Sequence, residues 1–113
     1  MSTLEIRSEG HDGVPALALS GELDFAALEL LEAELLPAEQ RSPPILILDL
    51  RELSFLDSSG LNTILQAQRR AADESRRLVI VRGDERVQRI FDWTGVSRSL
   101  DFVDSPQELP ETD

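Results

Sequence analysis

A carboxylate, two hydroxyls and a glycine stand in a row at Asp57-Ser58-Ser59-Gly60, between the aliphatic run Ile45–Leu50 and the spaced apolar residues Leu61, Ile64 and Leu65. The apolar pattern changes there from that of a buried strand to that of a helix, so these residues sit where a helix opens. The first amides of a helix lack internal acceptors and carry the positive end of its dipole, and they can accommodate a phosphoryl group on a nearby hydroxyl. Phosphorylation adds about −1.5 to −2 charges at neutral pH. On a chain of net charge −11, that addition repels any partner surface bearing carboxylates. Asp57, Ser58 and Ser59 are also good helix-capping residues, and capping alone accounts for them equally well. Residue chemistry does not choose between the two serines.

Other chemistry is poorly provided for. Ser58 lacks the Gly-x-Ser-x-Gly frame of a strained nucleophile, and the only imidazole, His11, lies in an early turn without an orienting partner, so no enzyme is expected. The chain has no cysteine, which removes disulfides, thiol nucleophiles and Cys-based zinc sites. Asp84-Glu85 reads as a helix start and not as a ligand pair. With no Gly-rich phosphate loop, no cofactor is expected. Trp93, the single tryptophan, reads as a packing residue, or as an interface anchor if exposed.

The elements that would position Asp57–Gly60 follow from apolar period and turn residues. Leu4–Ser8 and Val14–Ser20 alternate as strands around the turn Gly10-His11-Asp12-Gly13. Asp24 is placed to cap a helix with Leu28, Leu31 and Leu35 inward and Glu29 and Glu32 outward; Pro37 and Pro43-Pro44 close it. Ile45–Leu50 is a central strand followed by a polar turn. The helix from Ser58 or Ser59 buries Leu61, Ile64, Leu65, Ala71 and Ala72. Leu78–Val81 is a strand, Asp84 caps a helix bearing Val87, Ile90 and Phe91, Gly95 stops it, and Leu100–Val103 is an edge strand. Two strands followed by three helix–strand units predict an α/β fold, a mixed β-sheet of 4–5 strands with helices packed against it. The expected domain covers residues 1–103, with a short acidic C-terminal tail over 104–113. Ser105-Pro106-Gln107-Glu108 resembles a capping box, but Pro110 leaves at most one turn.

At 113 residues the chain can bury a core without staples. Its 22 carboxylates outnumber 11 arginines, and lysine is absent, which argues against nucleic acid as a partner. The balance is uneven: residues 1–68 carry −9, residues 69–98 carry +3, and residues 99–113 carry −5. Local ion pairs are the simplest use of the arginine-rich stretch. No apolar run approaches the roughly 20 residues of a membrane span, and no secretion signal is read at the start, so the cytoplasm is the expected location.

Leu53-Ser54-Phe55-Leu56-Asp57-Ser58-Ser59-Gly60-Leu61 resembles the signature of the STAS family, the sulfate-transporter and anti-sigma-factor-antagonist domains. Gly21-Glu22-Leu23-Asp24 and Arg89-Ile90-Phe91-Asp92-Trp93-Thr94-Gly95-Val96 agree with it in order and spacing, across residues 4–103. The resemblance is to the stand-alone bacterial members, in which the first serine after the aspartate is the phosphoacceptor, here Ser58. It implies an anti-sigma factor antagonist acting in transcription regulation and the stress response by partner switching. The unphosphorylated form binds an anti-sigma factor serine kinase and releases the sigma factor; phosphorylation of Ser58 switches binding off, and a Ser/Thr phosphatase resets it. It further implies a partner-binding set of Asp24, Asp57, Ser58, Ser59, Gly60, Thr94 and Gly95. In that set Asp24 lies beside the phosphoacceptor, Asp57 presents Ser58, and Gly60 admits the partner's backbone. The family's final helix is shortened here to Ser105–Leu109. A second role on the same fold is a non-switching interaction subunit, in a stress-signalling scaffold or beside a transport ATPase.

Overall fold

In the computed structural model, which describes residues 3–108, the elements are β1 (Glu5–His11), β2 (Val14–Leu23), α1 (Leu28–Gln40), β3 (Ile45–Leu56), α2 (Ser58–Asp73), β4 (Arg77–Val81), α3 (Glu85–Trp93) and β5 (Asp101–Val103). The five strands form one sheet in the order β1-β2-β3-β4-β5. Only β1 and β2 are antiparallel; every later neighbour is parallel, as helical crossovers require. The hairpin turns through Asp12 at φ 54 and Gly13 at φ 83, the paired positive φ values of a tight two-residue connection.

One large apolar cluster joins the inward residues of all three helices to one face of the sheet. Leu31 and Leu35 of α1, Leu61 and Ile64 of α2, and Val87 and Phe91 of α3 meet Leu17, Leu19, Leu46, Leu48, Leu50, Leu78 and Ile80. The opposite face holds a small cluster, Ala16, Ile45, Ile47, Val79 and Val81, contributed by strands alone. Strand alternation explains the division: Leu46 and Leu48 point toward the helices, and Ile45 and Ile47 point away.

Several boundaries depart from the sequence expectation. Pro37 lies inside α1, which continues to Gln40. Pro37 and Ala33 are both exposed, which leaves the Ala33 carbonyl that loses its donor open to solvent, while buried Leu35 and Glu39 anchor the helix on either side. The chain stops instead before Pro43-Pro44, with Ser42 at φ 53. Asp24 does not cap α1: a one-turn 3₁₀ helix, Phe25–Ala27, intervenes, and the Asp24 side chain makes no capping bond. β3 does not yield to a turn after Leu50 but runs on to Leu56, paired with β2 through two register shifts. Its polar residues Arg51 and Glu52 face solvent, where a half-buried strand tolerates them. Ala72 is exposed at the margin of α2.

At the C-terminus, Pro106–Glu108 form one 3₁₀ turn. The Glu108 carboxylate accepts from the Asp104 amide at 3.0 Å, one residue earlier than a capping box at Ser105 requires. Pro106 is buried and, with Gln107, sits beside Gly10 and Asp12 of the first hairpin. Leu109 and the residues after it lie outside the described region.

The close approach of the chain before β1 to the upper part of β2 depends on Gly21. At φ +94, a Cβ there would lie 2.1 Å from the Thr3 carbonyl oxygen. Gly21→Ala is expected to cost about 1–3 kcal/mol through backbone strain and overlap, read as a lower urea midpoint with an unchanged slope.

Candidate functional site

The upper halves of β2 and β3 project beyond the end of β4, whose last partner on β3 is Asp49. Beyond their ends, Leu23 turns into Asp24 and Phe25, and Leu56 turns into Asp57 and α2. Asp57 joins these two exits. Its Oδ1 accepts from the Ser59 hydroxyl at 2.6 Å and the Gly60 amide at 2.9 Å, and its Oδ2 accepts from the Phe25 amide at 3.2 Å. Its own amide donates to the Leu23 carbonyl at 3.2 Å, while its carbonyl accepts from the Leu61 amide at 3.0 Å. Burial alone would raise the pKa of Asp57, but the Ser59 hydroxyl and the Gly60, Phe25 and Ser59 amides together hold it below the usual carboxylate value.

This arrangement separates the two serines. Ser59 is half-buried, and its hydroxyl is committed to Asp57. Ser58, the first residue of α2, is exposed, and its hydroxyl has no hydrogen-bond partner among the described residues. Of the amides at the start of the helix, those of Ser59 and Gly60 already serve the Asp57 carboxylate. A group on the exposed Ser58 hydroxyl would therefore meet solvent beside Asp57, with those two donors already engaged.

Gly60 is buried, so it does not admit a partner's backbone. A Cβ there would lie 2.8 Å from Leu23 Cγ and from Leu56 Cδ1, and 2.9 Å from the Leu23 carbonyl oxygen. Its role is to seat α2 against the two strand ends. Asp24 is half-buried beside the site, with its carbonyl accepting from the Ala27 amide at 3.0 Å and its neighbour Phe25 tied to Asp57.

Thr94 and Gly95 do not join this group. Parallel β4 and β5 force α3 to run back along the sheet, so its C-terminus lies toward the strand starts and Ser58 toward the strand ends. Thr94 caps α3 through its hydroxyl, which donates to the Ile90 carbonyl at 2.8 Å, and Gly95 takes the left-handed turn at φ 75 that ends the helix. Two residues that the sequence did not single out flank the site: Phe25, 77% exposed, and Phe55, 48% exposed and paired across the sheet with Glu22. A phenylalanine flanked on one side by a polar and on the other by an apolar residue is as compatible with a core as with a surface, so residue type alone carried no signal.

The STAS domain model matches residues 5–109. The chain belongs to the STAS domain family. It is 30% identical over 103 residues to an anti-sigma F factor antagonist of Paenibacillus polymyxa, covering 90% of this chain and 88% of that one. An anti-sigma factor antagonist from Mycobacterium paratuberculosis superposes with a TM-score of 0.85 at 25% identity, covering 94% of this chain and 90% of the other. The antagonist SpoIIAA in its unphosphorylated form shares the fold, with a TM-score of 0.76 at 24% identity over 92% of this chain and 91% of that one. Among the described residues of this STAS domain, no helix is long and apolar enough to cross a membrane.

Two outcomes follow from the geometry. Asp57→Ala should cost about 1–2 kcal/mol at neutral pH, as expected for loss of a helix cap. Because the Asp57 pKa is lowered on folding, its contribution is full above the ordinary carboxylate range near about pH 4 and is lost as pH falls through the folded value. Urea titrations of the two proteins should therefore converge on acidification. Gly60→Ala should cost about 1–3 kcal/mol by overpacking, visible as a lower melting temperature at every pH.

Proposed function

We propose that this STAS domain is an anti-sigma factor antagonist whose partner binding is switched by phosphorylation of Ser58. The observation that carries the reading is the contrast between the serines: Ser58 offers a free, exposed hydroxyl, whereas the Ser59 hydroxyl is held by Asp57. The curated relatives that bear the antagonist function support it, as does the match along nearly the whole chain.

In this reading the unphosphorylated protein docks through the Ser58 surface on a cytoplasmic anti-sigma factor that is also a serine kinase, and the sigma factor is released. The kinase transfers the γ-phosphoryl group of ATP to the Ser58 oxygen; the hydroxyl proton is lost and ADP leaves. The new dianion stands beside the Asp57 carboxylate with its amide donors already occupied, so its charge is directed at the partner. Repulsion and desolvation of that charge weaken the complex. A Ser/Thr phosphatase hydrolyses the phosphoester and restores the binding form. Asp57 acts as a positioning residue, and Phe25 and Phe55 supply apolar contact beside the switched hydroxyl.

The test is parallel capture from host lysate with the native protein, Ser58→Ala and Ser58→Asp, with bound proteins identified by mass spectrometry. Native protein and Ser58→Ala should retain a small ATP-binding serine kinase, and Ser58→Asp should bind it at least about tenfold more weakly. Incubation with that kinase and ATP should label the native protein at Ser58 and leave Ser58→Ala unlabelled. Equal capture of one partner by all three proteins would instead identify a non-switching interaction subunit.

A further inference from the structure

The outward side of α3 is basic and aromatic on a strongly acidic chain. Arg86, Arg89, Ile90 and Trp93 recur at the i, i+3, i+4, i+7 spacing of one helix side. Trp93 is 78% exposed, the largest such value among the exposed large hydrophobic residues. The Arg89 guanidinium lies 5.8 Å from the Trp93 ring centre and has no ion-pair partner among the described residues. Arg86 reaches only Asp84, at 3.5 Å, with its side chain 76% exposed. With 22 carboxylates in the chain against 11 arginines, an arginine left unpaired beside a bare tryptophan marks a surface whose partner is elsewhere.

A matching surface lies on α1. Leu30, Ala33, Glu34 and Pro37 are all exposed and follow the same i, i+3, i+4, i+7 spacing, with Leu30 at 40% exposure. This stripe is apolar and acidic where that of α3 is aromatic and basic. Within one molecule α1 packs on β2 and α2, and α3 packs on β3, so both stripes remain exposed except for Ile90, which is half-buried against the core and forms the base of the α3 stripe. Two stripes of equal repeat can interdigitate as helix ridges, bringing Leu30 and Pro37 onto Trp93 and Glu34 within reach of Arg86 and Arg89.

We propose that the α3 stripe Arg86, Arg89, Ile90 and Trp93 docks on the α1 stripe Leu30, Ala33, Glu34 and Pro37 of a second copy of this chain. Repulsion between two acidic copies is screened beyond about 8 Å at physiological salt, while the charges at the contact lie well within that length. No residue of either stripe belongs to the Ser58 site, and the proposal does not depend on the partner switch.

Sedimentation velocity at physiological salt, over a rising protein concentration, tests the contact directly. The weight-average mass should rise, and the emission of Trp93, the single tryptophan, should shift to shorter wavelength as its ring is covered. Trp93→Ala, Arg89→Glu and Glu34→Arg should each weaken self-association about tenfold by sedimentation. All three sites are exposed, so circular dichroism melting should stay near that of the native protein. An equimolar mixture of Glu34→Arg and Arg89→Glu should recover association, because the reversed charges then face each other across one contact. A native protein that stays monomeric at its highest soluble concentration, with unchanged Trp93 emission, overturns the proposal. So does a mixture that associates no better than either variant alone.

Discussion

The Asp57 carboxylate is the interaction on which the rest of the site depends. It satisfies amides at the start of α2, locks the Ser59 hydroxyl and reaches the Phe25 amide on the connection from β2. Each of these donors would otherwise need water or another acceptor, and the connection and the helix would each be free to move. One carboxylate thus converts two adjacent strand exits into a single rigid corner. Ser58 is left pointing outward because its neighbours on both sides are engaged. The corner requires close approach, and Gly60 provides it, since nothing larger fits between the helix start, Leu23 and Leu56.

The fold was legible where burial follows a simple period. Ile45–Leu50 and Leu78–Val81 read as strands because parallel central strands are covered on both faces, and Leu31 and Leu35 read as a helix face because both are fully buried. It was illegible where exposure relaxes the pattern. Pro37 is harmless on the solvent side of α1, and Arg51-Glu52 continue β3 although their chemistry suggests a turn. The site divides in the same way. The capping role of Asp57 is local and was readable from residue type; the choice between Ser58 and Ser59 needed the direction of one hydroxyl. Thr94 and Gly95 were grouped with Ser58 by their motif, but the direction in which α3 returns along the sheet puts them toward its other end. Chain direction is a tertiary property that a motif does not encode.

The uneven charge of the chain has a structural use. Arg70 forms a two-pronged pair with buried Glu39, at 2.6 and 2.8 Å, and so links α2 to α1. Arg77 pairs with Asp101, and Arg82 pairs with Asp104 at 2.9 Å while its guanidinium lies 5.2 Å from the Phe102 ring centre. Three arginines of the arginine-rich middle of the chain are thereby paired with acids from the segments before and after it, while Arg76 pairs with Glu74 inside it. Two of these pairs hold the short strand β5 and the C-terminal turn at the edge of the sheet, where β5 has few ladder bonds of its own. Beyond β5, the buried Pro106 is seated beside Gly10 and Asp12 of the first hairpin. On α3, Arg86 reaches only its near neighbour Asp84 and Arg89 has no ion-pair partner among the described residues.

A charge placed on Ser58 can act in two ways, by rearranging the chain or by presenting itself to another molecule. Rearrangement needs donors that the phosphoryl group can capture, as an open helix terminus would supply. Here the Ser59 and Gly60 amides are held by a carboxylate whose pKa is already lowered by them, so capture would have to displace a half-buried anion from its hydrogen bonds. The domain gains little by exchanging one anion for another. Presentation requires only that the group be exposed, and at physiological salt its field fades over about 8 Å. On the proposed reading, a phosphoryl group at this corner would therefore act on a partner that touches it, and the exposed rings of Phe25 and Phe55 would offer that partner apolar surface.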